Sequence, residues 1–142
     1  MTNYKNLGLA ALLVMGVSGH ALADTGANGV WIMESGKVTV RIAPCGPNLC
    51  GTIVGLAKPL NKLGQPKVDK ENPNAALRNR PIIGLTILSN MVPQSDNEWA
   101  GKIYNADDGR TYSSYIKLSG DRMKVEGCVT IICKSIAFRR AN

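Results

Sequence analysis

Four cysteines carry the most chemistry in this chain. "CGPNLC" at 45–50 and "CVTIIC" at 128–133 share one Cys-x4-Cys spacing. A soft-metal site, a redox-active pair and two structural staples are the chemistries such a set can serve. Neither pair has the Cys-x-x-Cys spacing of thioredoxin-like redox sites. The sole histidine is His20, inside an apolar N-terminal segment. Once that segment is removed, a Ser-His-Asp or Cys-His constellation and a histidine-ligated zinc or copper site are excluded. No P-loop, Rossmann glycine fingerprint or calcium-loop spacing is present. Acid–base chemistry would have to use carboxylates such as Asp107 and Asp108 or tyrosines such as Tyr104 and Tyr112, and no spacing singles out a pair. The reading is therefore noncatalytic, with no cofactor and no metal expected.

The compartment is written more plainly. Lys5, an apolar run from Leu7 to Val17 and the small-x-small triplet Ala21-Leu22-Ala23 form a secretory signal, with cleavage expected after Ala23. The apolar run is about 11 residues, short of the ~20 that span a bilayer. Removal leaves residues 24–142, 119 residues, the size of one domain. The formal charge of +7 loses Lys5 and becomes +6, since all ten acids lie at or beyond Asp24. An exported location, periplasmic or secreted, makes two disulfides the ordinary use of four cysteines.

The elements that must position these residues read as strands. "KVTVRIAPC" sets Val38, Val40 and Ile42 against Thr39, Arg41 and Ala43; "TYSSYIKLSG" sets Tyr112, Ser114, Ile116 and Leu118 against Thr111, Tyr115 and Lys117; "MKVEGCV" sets Met123 and Val125 against Lys124 and Glu126. Period two is the signature of a strand with one buried face. Turn signals "ESGK", "GPN", "DDGR" and "SGDR" separate the runs. The pattern predicts strands over approximately 29–34, 37–44, 50–56, 82–89, 98–104, 110–118, 122–128 and 133–140. Eight short strands in one small domain favour an all-β barrel or two-sheet sandwich.

One segment breaks the rhythm. "AKPLNKLGQPKVDKENPN", 57–74, lacks alternation and reads as a long exposed loop, ending where Asn74 can cap a single helical turn that Pro81 stops. In the "LRNRP" that follows, Arg78 and Arg80 can share a side and offer paired donors to a carboxylate or phosphate. The competing reading pairs them with the protein's own acids, with Asp107 or Asp108 as partner.

A meander also decides the cysteines. With strands alternately up and down, 45–50 joins strands two and three at one end and 128–133 joins strands seven and eight at the other. The pairs are then too far apart to cross-link or to share a zinc, and local bonds Cys45–Cys50 and Cys128–Cys133 follow, each contributing roughly 2 kcal/mol. "VTII" is poor turn sequence. A single strand over 122–140 would nevertheless run to about 19 residues, beyond the usual 3–10, so a break is required.

"GVWIMESGKVTVRIAPCGPNLCGTIVGL", "NPNAALRNRPIIGLTILSNM" and "KIYNADDGRTYSSYIKLSGDRMKVEGC" together resemble the bacterial exported family known as domain of unknown function 2147, over essentially the whole mature chain. The resemblance implies a compact antiparallel up-and-down β-barrel similar to lipocalins and an envelope or secreted location; it implies no activity. The family's last strand commonly ends in Trp-x-Arg, whereas "AFRRA" here puts Phe138 and Arg140 at those positions. In a lipocalin-like barrel, Trp31 on the first strand would close one end with Arg140 of the last strand over its indole, worth about 0.5–2 kcal/mol.

The expected function is an exported binding protein holding a small apolar or amphipathic ligand in or at the mouth of the barrel, with Arg78, Arg80, Trp31, Tyr112 and Arg140 as candidate ligand-binding residues. The alternative is an envelope structural or interaction factor, whose loop lysines Lys58, Lys62, Lys67 and Lys70 meet anionic envelope components. Neither reading involves specific nucleic-acid binding or a transmembrane segment in the mature chain.

Overall fold

The computed structural model describes Gly16 and residues 26–142; the signal segment, its cleavage point and His20 lie outside these residues. Eight strands follow in order: β1 (Gly29–Met33), β2 (Val38–Cys45), β3 (Asn48–Leu56), β4 (Thr86–Ser95), β5 (Glu98–Asn105), β6 (Arg110–Ser119), β7 (Arg122–Val129) and β8 (Ile132–Arg140). Each pairs antiparallel with the next, and β8 returns to β1 through Trp31 opposite Arg140, Ile32 opposite Arg139 and Met33 opposite Phe138. The result is a closed all-β up-and-down barrel. Closure removes most of the open edge an eight-stranded sheet would otherwise present, leaving β8 before residue 137 without a β1 partner.

Alternation fills the interior as the sequence pattern demands. Val40 and Ile42 of β2, Ser114 and Ile116 of β6, and Met123 and Val125 of β7 are buried, while Arg41, Tyr115 and Lys124 between them are exposed. Trp31, Met91, Trp99 and Phe138 supply the bulk of a single cluster. Two glycines admit these side chains: a Cβ at Gly51 would sit 2.8 Å from Leu88, and one at Gly101 2.7 Å from the Met91 sulfur.

β4 departs most from expectation, covering Thr86–Ser95 rather than 82–89. Residues 82–85 form a turn, with the Leu85 N–H donating to Ile82 and Gly84 at φ 99°. Further along, Asn90 adopts φ 50° where the β4–β5 register shifts, and this bulge returns Met91 to the interior. The strand thereby continues through Pro93, beyond the last regular alternation.

The connections divide by parity. β1–β2, β3–β4, β5–β6 and β7–β8 leave one end, called here the loop end. The other three turns, residues 26–28 and the end of β8 lie at the opposite, terminal end. The disulfides respect this division: Cys45–Cys50 ties the β2–β3 turn at the terminal end and Cys128–Cys133 the β7–β8 turn at the loop end.

Candidate functional site

At the terminal end the chain stoppers itself. Trp31 is fully buried on β1, and its indole Nε1–H donates to the Ala27 carbonyl at 2.9 Å, bending residues 26–28 across the barrel. Arg140, carried opposite by β8, lies over that indole at 4.3 Å from the ring centroid. Its guanidinium donates to the carbonyls of Asn28 (2.9 Å) and Gly26 (2.6 Å) and, through Nε, to Asp121 in the β6–β7 turn (3.3 Å). One arginine thus joins residues 26–28, the last strand and a turn while covering an aromatic face. Trp31 and Arg140 are brought together, and their donors are directed to their own backbone.

The loop end is held by polar groups. Asp69, in the middle of the loop that reads as solvated, is fully buried. Its carboxylate accepts from the Tyr104 hydroxyl at 2.7 Å, from Asn72 Nδ2 at 2.9 Å and from Arg80 Nε at 2.8 Å. The Asp69 N–H donates to the Arg80 carbonyl, and Arg80 lies 5.7 Å from the Tyr104 ring centroid. Arg78 Nε donates to the Asn72 carbonyl at 2.7 Å, and Asn74 caps the short 3-10 turn Ala75–Leu77. Burial raises the Asp69 pKa, but the hydrogen bonds from Tyr104, Asn72 and Arg80 outweigh it and hold the carboxyl below its ordinary value. Burial, and the carboxylate its hydroxyl faces, push Tyr104 up. The acid that meets Arg80 is therefore Asp69, not Asp107 or Asp108. The latter two shape the β5–β6 turn: the Asp107 N–H donates to Asn105, and Asp108 accepts from the Arg110 N–H.

This latch rests on the β5–β6 turn through one glycine. Gly109 has φ 69°, and a Cβ there would stand 1.9 Å from the Glu71 carbonyl oxygen. Only a residue without a side chain lets the loop seat.

Inside the loop end, β6 presents Tyr112 and then Ser114 on the inner face. Tyr112 is half-buried and its hydroxyl donates to Asp108, which closes over it from the turn. Ser114 is 1% exposed, and its Oγ makes no hydrogen bond within the protein. Gly127 of β7 and Gly101 of β5 stand opposite it, so neither flanking position carries a side chain that could partner the Ser114 hydroxyl. A second feature lies on the rim: a concavity of about 320 Å³ lined by Arg80, Pro81, Ile83, Gly84, Leu85 and Thr86. The Arg80 side chain is 37% exposed there, and Ile83 is likewise exposed. A similar concavity of about 340 Å³ lies near Glu34, Lys117, Arg122 and Lys124.

Glu126, Cys128 and Cys133 bring three potential metal-ligating atoms within 4.8 Å of one another. The two sulfurs are bonded to each other, and Glu126 is occupied by Lys124 at 3.1 Å. Among the described residues no helix is long and apolar enough to cross a membrane. Of the sequence candidates, Arg80 and Tyr112 sit at the loop end, Arg78 braces the loop, and Trp31 and Arg140 form the opposite stopper. Sequence reasoning did not reach Asp69, Asn72 or the orphaned Ser114 hydroxyl.

Comparison with known proteins agrees with this architecture. A solved structure described as protein HP1028 from the human pathogen Helicobacter pylori, said to belong to the lipocalin family, superposes with a TM-score of 0.71 at 21% identity, covering 82% of this chain and 83% of that one. At that identity the likeness is one of fold. No curated protein matches the chain. The model of the family described as "Uncharacterized protein conserved in bacteria (DUF2147)" matches residues 29–140, from the first residue of β1 to the last of β8. The chain belongs to that bacterial family, and its barrel is lipocalin-like.

Proposed function

We propose that this is an exported, noncatalytic binding protein that takes a small apolar or amphipathic ligand in or at the loop end of its barrel. The observation that carries the reading is the buried Ser114 hydroxyl, unpartnered on the inner wall below Tyr112. A buried hydroxyl without a partner costs roughly 1–3 kcal/mol, and a polar group of a ligand would recover it. Arg80 at the rim supplies a positive group for an acidic head, with Pro81 and Ile83 beside it for an apolar chain. The stopper at the other end leaves the loop end as the route of entry. Two disulfides suit an oxidising compartment.

Titration with a fluorescent fatty-acid probe tests this. The wild type binds saturably, and Ser114→Leu, which fills the inner wall, weakens binding. Asp121→Asn at the terminal end leaves it unchanged. Absence of saturable binding by a folded wild type overturns the proposal. It would favour the second reading, an interaction factor for anionic envelope components, which rests on Lys58, Lys62, Lys67 and Lys70 being exposed along one loop.

A further inference from the structure

The β7–β8 turn is built against its own solubility. Val129 pairs with Ile132, and the two residues between them are Thr130 and Ile131. Ile131 is 94% exposed, Ile132 73% and Val129 56%. Tight hairpin turns favour Asn and Gly because φ is positive there; here Thr130, a β-branched residue, adopts φ 53°. Cys128 and Cys133 stand opposite each other and are joined, so a disulfide fixes a strained turn that displays three aliphatic side chains to water. Nearby backbone is equally unprotected: β1 pairs with β8 only over residues 138–140, and β8 runs on from Ile132 without it.

A second apolar tip leaves the same end. Leu63 is 82% exposed in a turn where Asn61 Oδ1 accepts from the Leu63 and Gln65 N–H groups, and Lys62 precedes it. Charge is divided between the ends as well. The loop-end connections hold Lys37, Lys58, Lys62, Lys67 and Lys70 in excess over Glu34, Glu71, Asp107 and Asp108, with Arg78 adding to them and Arg80 matched by Asp69; at the terminal end Asp96, Glu98 and Asp121 are balanced by Arg122, Arg139 and Arg140.

The geometry points to a membrane-docking end: the disulfide-locked tip Val129–Ile132, assisted by Leu63, enters the headgroup and upper acyl region of an anionic lipid bilayer, while the loop-end lysines meet the lipid phosphates. A bilayer is favoured over a protein partner by shape and size. The tips are convex and narrow, whereas a stable protein interface needs about 800 Å² on each side. Isolated aliphatic projections at an end that also carries lysines suit a surface that yields around them. The more basic end faces the lipid and the charge-balanced end faces away. This docking does not depend on the barrel holding a ligand.

The test uses vesicles of phosphatidylethanolamine with phosphatidylglycerol, and of phosphatidylcholine alone, with the full chain throughout so that any contribution of residues 1–25 is common to all variants. Both native tryptophans are buried, so Ile131→Trp is a clean reporter. The expected results are a blue shift of Ile131→Trp emission and its quenching by brominated acyl chains on anionic vesicles. Ile131→Glu combined with Ile132→Glu should sediment with those vesicles at least about tenfold more weakly, and Lys62→Glu should weaken binding and flatten its salt dependence. Emission that stays water-like, or a double variant that sediments like the wild type, overturns the proposal. So does concentration-dependent self-association that the double variant abolishes, because the tip would then pack on a second copy of the chain.

Discussion

The two ends of this barrel are held by opposite means. The terminal end is sealed by an indole and a guanidinium, with apolar area and a cation–π contact carrying the energy and short-range backbone hydrogen bonds setting direction. The loop end is held by a buried carboxylate that three side chains must reach at once: Tyr104 from β5, and Asn72 and Arg80 from the loop. The first arrangement rests on packing and is hard to open. The second is a charged lock in which losing one partner strands the others, because a buried ion without its counterion is costly. A barrel that admits something at one end is well served by that division.

Breaking the stopper should cost most. Trp31→Ala removes a fully buried indole and is expected to destabilise by about 3–5 kcal/mol, read from denaturant unfolding. A loss below 1 kcal/mol would mean that residues 26–28 and Arg140 do not depend on the ring. Breaking the latch should cost less globally and more locally. Asp69→Ala is expected to lose about 3 kcal/mol, with amide exchange accelerated at Lys67, Asp69 and Ile82, whose N–H groups bond across the loop, while the amides of β1 and β8 stay protected.

The same lock has a pH window. Asp69 is held below its ordinary value, so its contribution is complete above the unfolded aspartate pKa near 3.9 and is lost as pH falls through the lower folded value. Tyr104 is held above its ordinary value, so its contribution is complete below about 10 and is lost as pH rises through the higher folded value. Exchange of the 67–82 amides should therefore accelerate at both extremes, after correction for intrinsic exchange, and Asp69→Asn should remove the acid limb. The smallest expected effect is at Gly109, where Gly109→Ala has φ 69° and the Glu71 carbonyl against it; a cost of about 2 kcal/mol confined to the loop is predicted.

The contrast also explains what could be read from the residues alone. Period-two alternation in β2, β6 and β7 is a local property with a single physical cause, a strand with one wet face, and it transferred directly to the barrel. Trp31 and Arg140 were legible because closure makes the first and last strands neighbours in any up-and-down barrel. Asp69 was not: it sits among lysines and prolines with no periodicity, and its partner Tyr104 is 35 residues away on the outer face of a strand. Nothing short of the fold brings them together. β4 was misplaced because a bulge at Asn90 carries the strand past the point where alternation stops. Ser114 stood in plain view between Tyr112 and Ile116, but whether its hydroxyl would find a partner inside the barrel is a matter of three-dimensional packing.

Assigned amide spectra recorded while a fatty acid is titrated into the protein test the division of labour between the ends most directly. The account predicts saturable shifts at Tyr112, Ser114 and Gly127 on the inner wall and at Arg80 and Ile83 on the rim, with Trp31, Arg140 and Asp121 unmoved. Shifts centred on Trp31 and Arg140, or no saturable shifts at all, would contradict it.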